Sequence, residues 1–315
     1  MKQYGLIGKK LSHSQSPQWF AERWRREGVT DAVYRLYEMD SVDNLRRWVH
    51  DNDISGFNVT IPYKEAVMDC LDDIDAAARG IGAVNCVVWQ DGRLVGHNTD
   101  APAFAETLAP LLRPWHREAL VLGTGGAAKA VTYALRGMGI GCTMVSRCPD
   151  LHSGAVSYAQ AFAMASTHLI IVNATPVGMH PDVEGTPWPE SSCIGPRHLC
   201  YDLVYNPSPT RFLCCAAERG AVVCGGLAML LLPAMINEPS GNISTWLSLI
   251  PFTSPVAMLL RIPFGVPVWQ VVLSMLLLLA TFPLCIWAAA KIYRSAILRY
   301  GQKTTWRDVW HLIKR

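Results

Sequence analysis

Lys64 and Asp100 are ionisable residues of opposite sign, each set in a cluster of small polar groups. A lysine beside a carboxylate can give and take a proton at a carbonyl oxygen. Three clusters fall at expected strand ends: Ser12-His13-Ser14-Gln15-Ser16-Pro17, Asn58-Val59-Thr60 with Lys64, and Asn98-Thr99-Asp100. Groups of this kind can converge on a small polyhydroxylated ligand. Spacing alone leaves Lys64 and Asp100 equally readable as surface charges.

A second chemistry is written at Gly123-Thr124-Gly125-Gly126-Ala127, between an apolar run and an alanine-rich stretch. Glycines there permit a tight turn and a close approach to a pyrophosphate, which a helix N-terminus stabilises. The last glycine of Gly-x-Gly-x-x-Gly is Ala128, an allowed variant. The alternative is a purely structural turn. Twenty residues past Gly126 the carboxylate that reads NAD is absent, and Ser146-Arg147 stands there. A guanidinium suits a 2′-phosphate, so the spacing favours NADP(H). An exposed loop charge is the other reading of Arg147.

These residues need elements to hold them. Tyr4–Gly8, Val33–Tyr37 and Phe57–Ile61 read as strands, with helices at 17–27, 41–51, 64–72 and 101–112. Ala83–Trp89 and Arg93–Gly96, joined across Gln90-Asp91-Gly92, read as a hairpin. A second series of strands follows: Ala119–Leu122, Cys142–Ser146, Leu169–Asn173, Leu199–Asp202 and Ala221–Cys224. Alternating strand and helix imply parallel sheets covered on both faces. The expectation is two α/β domains, 1–102 for substrate and catalysis and 103–231 as a Rossmann-like nucleotide domain, then a C-terminal α-helical membrane segment at 232–315.

The chain has 315 residues, 50% hydrophobic and 17% charged, with net charge +3. Residues 233–315 carry +6 and residues 1–232 carry −3, so the averages describe neither part. The balance excludes a disordered polyelectrolyte and a strongly basic nucleic-acid binder. Ten cysteines are scattered without a C-x-x-C pair, which points to reduced thiols and no metal site. Met1-Lys2 opens a polar stretch with no signal-peptide core, which places the first part in the cytoplasm. Val266–Ala290 is 25 residues without a charge. As a helix it reaches roughly 37 Å, against a hydrocarbon core of about 30 Å. Pro267 and Pro283 fall in it, and seven Lys/Arg against Asp308 follow from Lys291. That pattern predicts a transmembrane helix at about 266–290 with a cytoplasmic basic tail; a buried helix of a soluble core is the alternative. Trp246–Leu260, broken by Pro251 and Pro255, is expected to lie at the interface or re-enter.

Residues 1 to about 231 resemble shikimate dehydrogenase. The resemblance runs through the Ser12–Pro17 cluster, Gly56–Lys64, Gly82-Ala83-Val84-Asn85, Asn98-Thr99-Asp100 and Gly123–Ala127. It continues through Asn173–Met179, Tyr205-Asn206-Pro207 with Thr210, and Gly225–Leu230. It implies NADPH-dependent reduction of 3-dehydroshikimate to shikimate in aromatic amino-acid biosynthesis. It further implies that Ser14, Ser16, Asn58, Thr60, Asn85 and Asp100 hold the substrate, and that Lys64 with Asp100 moves the proton. The cofactor residues it implies are Gly123, Gly125, Gly126, Ala127, Ser146, Arg147, Thr175, Gly178, Met179 and Gly225.

The sequence departs from that family where Phe20 replaces a usual His and where Gly-x-Gly-Phe reads Ala101-Pro102-Ala103-Phe104. Pro233 occupies the place of a substrate-touching Gln, and the family's closing helices are missing. From about 232 the chain instead resembles the end of an ABC transporter permease, through Leu249–Pro255, Arg261-Ile262-Pro263 and Lys291–Arg294 leading to Ile297–Gly301. A single span conflicts with two cytoplasmic ends, and the abrupt change reads as a junction of two unrelated genes, a misassembled or artificial fusion. The rival functions are a permease fragment carrying an inactive enzyme-like domain, and a sensor that binds a shikimate-like ligand without turnover.

Overall fold

The computed structural model describes residues 1–12, 14, 16–149, 154–189, 191–229, 245, 248–250, 254, 258 and 266–297, with side chains of the last helix described to Pro283. The chain divides into two compact units, Met1–Leu230 and Leu231–Arg315. His13, Gln15, Leu230, Pro233, most of Trp246–Leu260 and the tail beyond Ile297 lie outside the described residues.

The first unit holds two sheets. The first is built from β1 (Lys2–Gly8), β2 (Ala32–Glu38), β3 (Ile54–Val59), β4 (Asp73–Ile74), β5 (Cys86–Gln90) and β6 (Arg93–His97) in the order β2-β1-β3-β5-β6-β4. It is mixed, whereas alternation of strand and helix predicted a parallel sheet. The cause is local: Asp91 and Gly92 both take positive φ, 52° and 75°. Such a turn matches the twist of paired strands, so β5 and β6 run antiparallel and β5 also meets β3 antiparallel. Helices α1 (Ser16–Glu27), α2 (Leu45–Asp51) and α3 (Ala76–Ile81) lie between these strands in sequence.

The helix expected over 64–72 is a 3-10 helix, Ala66–Cys70, followed by β4. Backbone bonds from Asp72 to Leu94 and from Asp75 to Gly96 draw the segment onto β6 and end the helix early. Helix α3, not expected, starts where the Asp75 side chain accepts from Ala78 N and stops at Gly82, φ 73°. The strand expected from Ala83 begins at Cys86, because Val84 N is bonded to Lys64 O and Asn85 turns toward Thr99.

The second sheet is all parallel, in the order β11-β10-β9-β7-β8. Its strands are β7 (Glu118–Leu122), β8 (Gly141–Val145), β9 (Ile170–Asn173), β10 (Leu199–Asp202) and β11 (Val222–Gly225). Along β7, β9 and β10 successive side chains enter opposite cores. Ala119, Val121, Ile170, Val172, Leu199 and Tyr201 pack on one face, and Leu120, Leu122, Ile171 and Cys200 on the other. That is the pattern of a sheet buried on both sides. Helix α4 (Asp100–Leu108) joins the two sheets. Its Phe104 and Leu108 share a core with Ile81 and Ala83 on one side and β7, β9 and helix α5 (Gly126–Gly137) on the other. Helices α6 (Tyr158–Met164) and α7 (Arg211–Glu218) complete the unit.

In the second unit one helix, α8, runs 30 residues from Val268 to Ile297 with Pro283 inside it. Leu276, Leu279 and Phe282 are exposed, while the Ser274 and Thr281 hydroxyls donate back to helix carbonyls. Among the described residues no helix is long and apolar enough to cross a membrane, the described side chains of α8 stopping at Pro283. Nine described cysteines are free thiols, and no group of three or more His, Cys, Asp or Glu among the described residues could hold a metal.

The Asp202 carboxylate is fully buried and accepts from Asn173 Nδ2 at 2.8 Å, Val204 N at 2.9 Å and Thr210 Oγ1 at 2.6 Å. Asp202→Ala strands three buried donors and is expected to lower unfolding free energy by about 3 kcal/mol or more. Burial pushes the Asp202 carboxyl up to about 6 from an ordinary 3.8. A raised folded value means the contribution is full below the ordinary value and is lost as pH rises through about 6. Urea unfolding from about pH 4 to about pH 7 should therefore show the native chain losing ground against Asp202→Asn. A constant difference would place the titration outside that window.

Candidate active site

Lys64 stands in the loop after β3 and Asp100 opens α4. Lys64 Nζ donates to Asp100 Oδ2 at 2.6 Å, and Asn85 Nδ2 donates to Asp100 Oδ1 at 2.8 Å. Asn98 sets the start of α4. Its Oδ1 accepts from the backbone of Asp100 and Ala101, and its Nδ2 donates to Ala83 O. Asn85 in turn is held by Thr99, whose backbone N donates to Asn85 Oδ1 at 2.9 Å. The Lys64 and Asp100 side chains are 16% and 26% exposed, so the pair is shielded yet reachable.

The other polar groups gather beside it. Tyr34 OH donates to Asn58 Oδ1 at 2.8 Å, and Asn58 Nδ2 donates to Asn85 O at 3.4 Å. Ser14 Oγ donates to Ser16 Oγ at 3.1 Å at the start of α1. Thr60 follows β3, its N bonded to Ile7 O. Phe20 stacks flat on Tyr34, ring centroids 4.2 Å apart. Ala101 and Phe104 are core residues, Phe104 meeting the Tyr201 ring edge-on.

The strand order of the second sheet reverses at β7, and a crevice opens there beyond the strand ends. The cleft has a volume of about 340 Å³ and is lined by Gly123, Gly125, Ser146, Arg147, Tyr158 and Thr175, among others. Gly123 has φ 113°, a conformation that L side chains rarely adopt. Gly126 and Ala127 begin α5, a 12-residue helix whose free N–H groups favour an anion. Thr175 is fixed by Asn173 Oδ1, which accepts from its backbone N and its hydroxyl. Arg147 is exposed and has no ion pair among the described residues. Its charge bears on Tyr158, whose phenol is pushed up by burial and pulled back by the guanidinium. A glycine turn, a helix N-terminus and an uncommitted guanidinium fit a nucleotide with a phosphate on its ribose. Gly178 and Met179 lie in the loop after β9 and Gly225 ends β11; none of the three lines this cleft.

The two sites touch at one point. A Cβ on Gly126 would stand 3.0 Å from Lys64 Cβ and 3.2 Å from Ala83 Cβ. The lysine stem therefore packs on the first residue of the nucleotide helix. One turn further Lys129 Nζ meets Glu65 Oε2 at 2.6 Å. The sequence reading missed Tyr34, Glu65 and Lys129. Only the placement of Glu65 beside Lys64 was a signal for any of them. Gly126→Ala is expected to displace Lys64 and lower kcat by about tenfold or more, with the cofactor KM changed only a few-fold. Gly125→Ala, whose methyl meets open space, should do the reverse. Steady-state kinetics separates them, and equal effects on both constants would show that the two glycines do one job.

The profile of the shikimate dehydrogenase substrate binding domain matches residues 6–87, and that of an ABC-2 family transporter protein matches residues 220–291. The shikimate dehydrogenase (NADP(+)) of Shouchella clausii is 36% identical over 261 residues, 78% of this chain and 92% of the relative. That of Bacillus cereus is 37% identical over 249 residues, 73% of this chain and 89% of the relative. The crystal structure of Thermus thermophilus shikimate 5-dehydrogenase in complex with NADP(H) and shikimate is 34% identical, with a TM-score of 0.64 over 73% of this chain and 89% of that one. Sequence and architecture thus agree over nearly the whole length of these enzymes, and the chain belongs to the shikimate dehydrogenase family.

Proposed function

We propose that this chain reduces 3-dehydroshikimate reversibly to shikimate with NADPH. The observation that carries the reading is the Lys64–Asp100–Asn85 group packed against the nucleotide turn through Gly126. Ser14, Ser16, Asn58, Thr60, Asn85 and Asp100 bind the substrate's hydroxyls and carboxylate. Lys64 donates a proton at the carbonyl oxygen, and takes it back from the hydroxyl in the reverse direction, while Asp100 and Asn85 hold its ammonium in place. Gly123, Gly125, Gly126 and Ala127 cradle the cofactor's pyrophosphate, and Ser146 with Arg147 receives its 2′-phosphate. Thr175, Gly178, Met179 and Gly225 border the cofactor's remaining length. Bound NADPH supplies a hydride. The corresponding domains are 1–102, 103–231 and 232–315.

Lys64→Ala should lower kcat for shikimate oxidation by about 10²–10⁴ and change KM much less. A near-normal kcat would remove Lys64 from the chemistry. Arg147→Ala should weaken NADPH by about tenfold or more and leave NADH nearly unchanged. Equal losses would mean that Arg147 supports its loop instead of reading the phosphate.

The C-terminal segment has a second role in this reading. The uncharged run Val266–Ala290, the exposed apolar side chains of α8 and the transporter match at 220–291 support a membrane helix at about 266–290 that anchors a cytoplasmic enzyme. The same match favours the rival reading, a transporter fragment whose enzyme-like part is inactive. NADP⁺ reduction by the full chain with shikimate in detergent decides between them. Carbonate extraction of membranes from expressing cells should leave the full chain in the pellet, and its release would refute the anchor.

A further inference from the structure

Tyr34 is 8% exposed on β2, clamped by the flat stack on Phe20 and by Trp24 at 6.4 Å. Its hydroxyl is aimed at the polar group that binds ligand in the reading above. It donates to Asn58 Oδ1 at 2.8 Å. The Asn58 amide nitrogen donates to Asn85 O, a carbonyl that can only accept. These two contacts fix which way the carboxamide faces. Turned over, it would set oxygen against oxygen at Asn85 and offer its nitrogen to Tyr34. In the observed orientation Oδ1 is occupied, and an amide nitrogen has two hydrogens, of which Asn85 O takes one. Asn58 thus presents a donor, not an acceptor.

The phenol is itself directed. The Ser16 side chain lies within hydrogen-bonding reach of it, and Ser14 Oγ donates to Ser16 Oγ. Donors therefore run in one sense from Ser14 through Ser16 and Tyr34 to Asn58. Burial pushes the Tyr34 phenol well above its ordinary range, so it stays a neutral donor across working pH. None of this is written in the sequence motifs, where Tyr34 reads as one more inward-facing strand residue.

We propose that Tyr34 is a positioning residue for substrate, its hydroxyl locking the Asn58 carboxamide with the nitrogen turned to the ligand, so that this corner of the site selects an oxygen acceptor such as a hydroxyl or carbonyl. The proposal rests on the shikimate dehydrogenase reading. Tyr34→Phe keeps the ring and its stack, and removes only the donor. In the full chain in detergent it should raise KM for shikimate by about tenfold, with kcat within about twofold and KM for NADP⁺ unchanged. The decisive measurement is a double-mutant cycle with Asn58→Ala. If Tyr34 acts through Asn58, then Tyr34→Phe changes KM by less than about twofold once Asn58 is gone. The same comparison of shikimate affinity by tryptophan fluorescence needs no turnover. An unchanged KM in Tyr34→Phe, a loss confined to kcat, or a full effect in the Asn58→Ala background would each overturn the proposal while leaving the enzyme reading intact. A native chain that neither binds nor oxidises shikimate would overturn both.

Discussion

Both oxygens of the Asp100 carboxylate are engaged, one by the Lys64 ammonium and the other by the Asn85 amide. The three residues come from the loop after β3, the approach to β5 and the first turn of α4. They meet only if the first sheet has its mixed order and α4 leaves it at the right place. An unpaired charge in so shielded a position would be costly, so the surrounding groups form a complete set of partners. Asn98 anchors α4 to Ala83, Thr99 holds Asn85, and Val84 is tied to Lys64 through the backbone. The close approach at Gly126 then carries this arrangement to the nucleotide helix. Substrate chemistry and cofactor binding are thereby set by one packing constraint and not by two independent pockets.

Much of this was legible from residue types. The Asp91-Gly92 pair announced the hairpin, the glycine run announced the turn after β7, and the polar clusters marked loops that the structure brings together. What could not be read depends on partners distant in sequence. The stretch 64–72 has a helical composition, yet backbone bonds to β6 decide its ending. Ala83–Asn85 looks like strand, yet its hydrogen bonds go to Lys64 and Thr99. Tyr34 alternates correctly for a buried strand residue, and nothing in its own segment signals that its hydroxyl ends on Asn58. Lys129 and Glu65 are 64 residues apart, and only the folded chain makes them neighbours.

The C-terminal part obeys a different physics. Residues 1–230 alternate apolar and polar positions to face two covered sheets. Helix α8 has apolar side chains around its exposed surface, and its few hydroxyls donate within the helix, the arrangement that a medium without water demands. The transporter match begins at residue 220, before β11, so the two kinds of sequence overlap on one strand and the turn that precedes it.

That strand is the outermost of its sheet, bonded to β10 alone. By Gly225 every ladder among the described residues of the second sheet is closed, and both of its cores have been supplied. Whatever follows inherits finished architecture. For a gene, this is a position where recombination meets little resistance: a foreign continuation spliced in after the last edge strand disturbs no earlier pairing, so selection for a folded sheet exerts no grip on what is attached. The tolerance belongs to the sheet and not to the catalyst, whose substrate pocket can still depend on sequence that the sheet itself does not need.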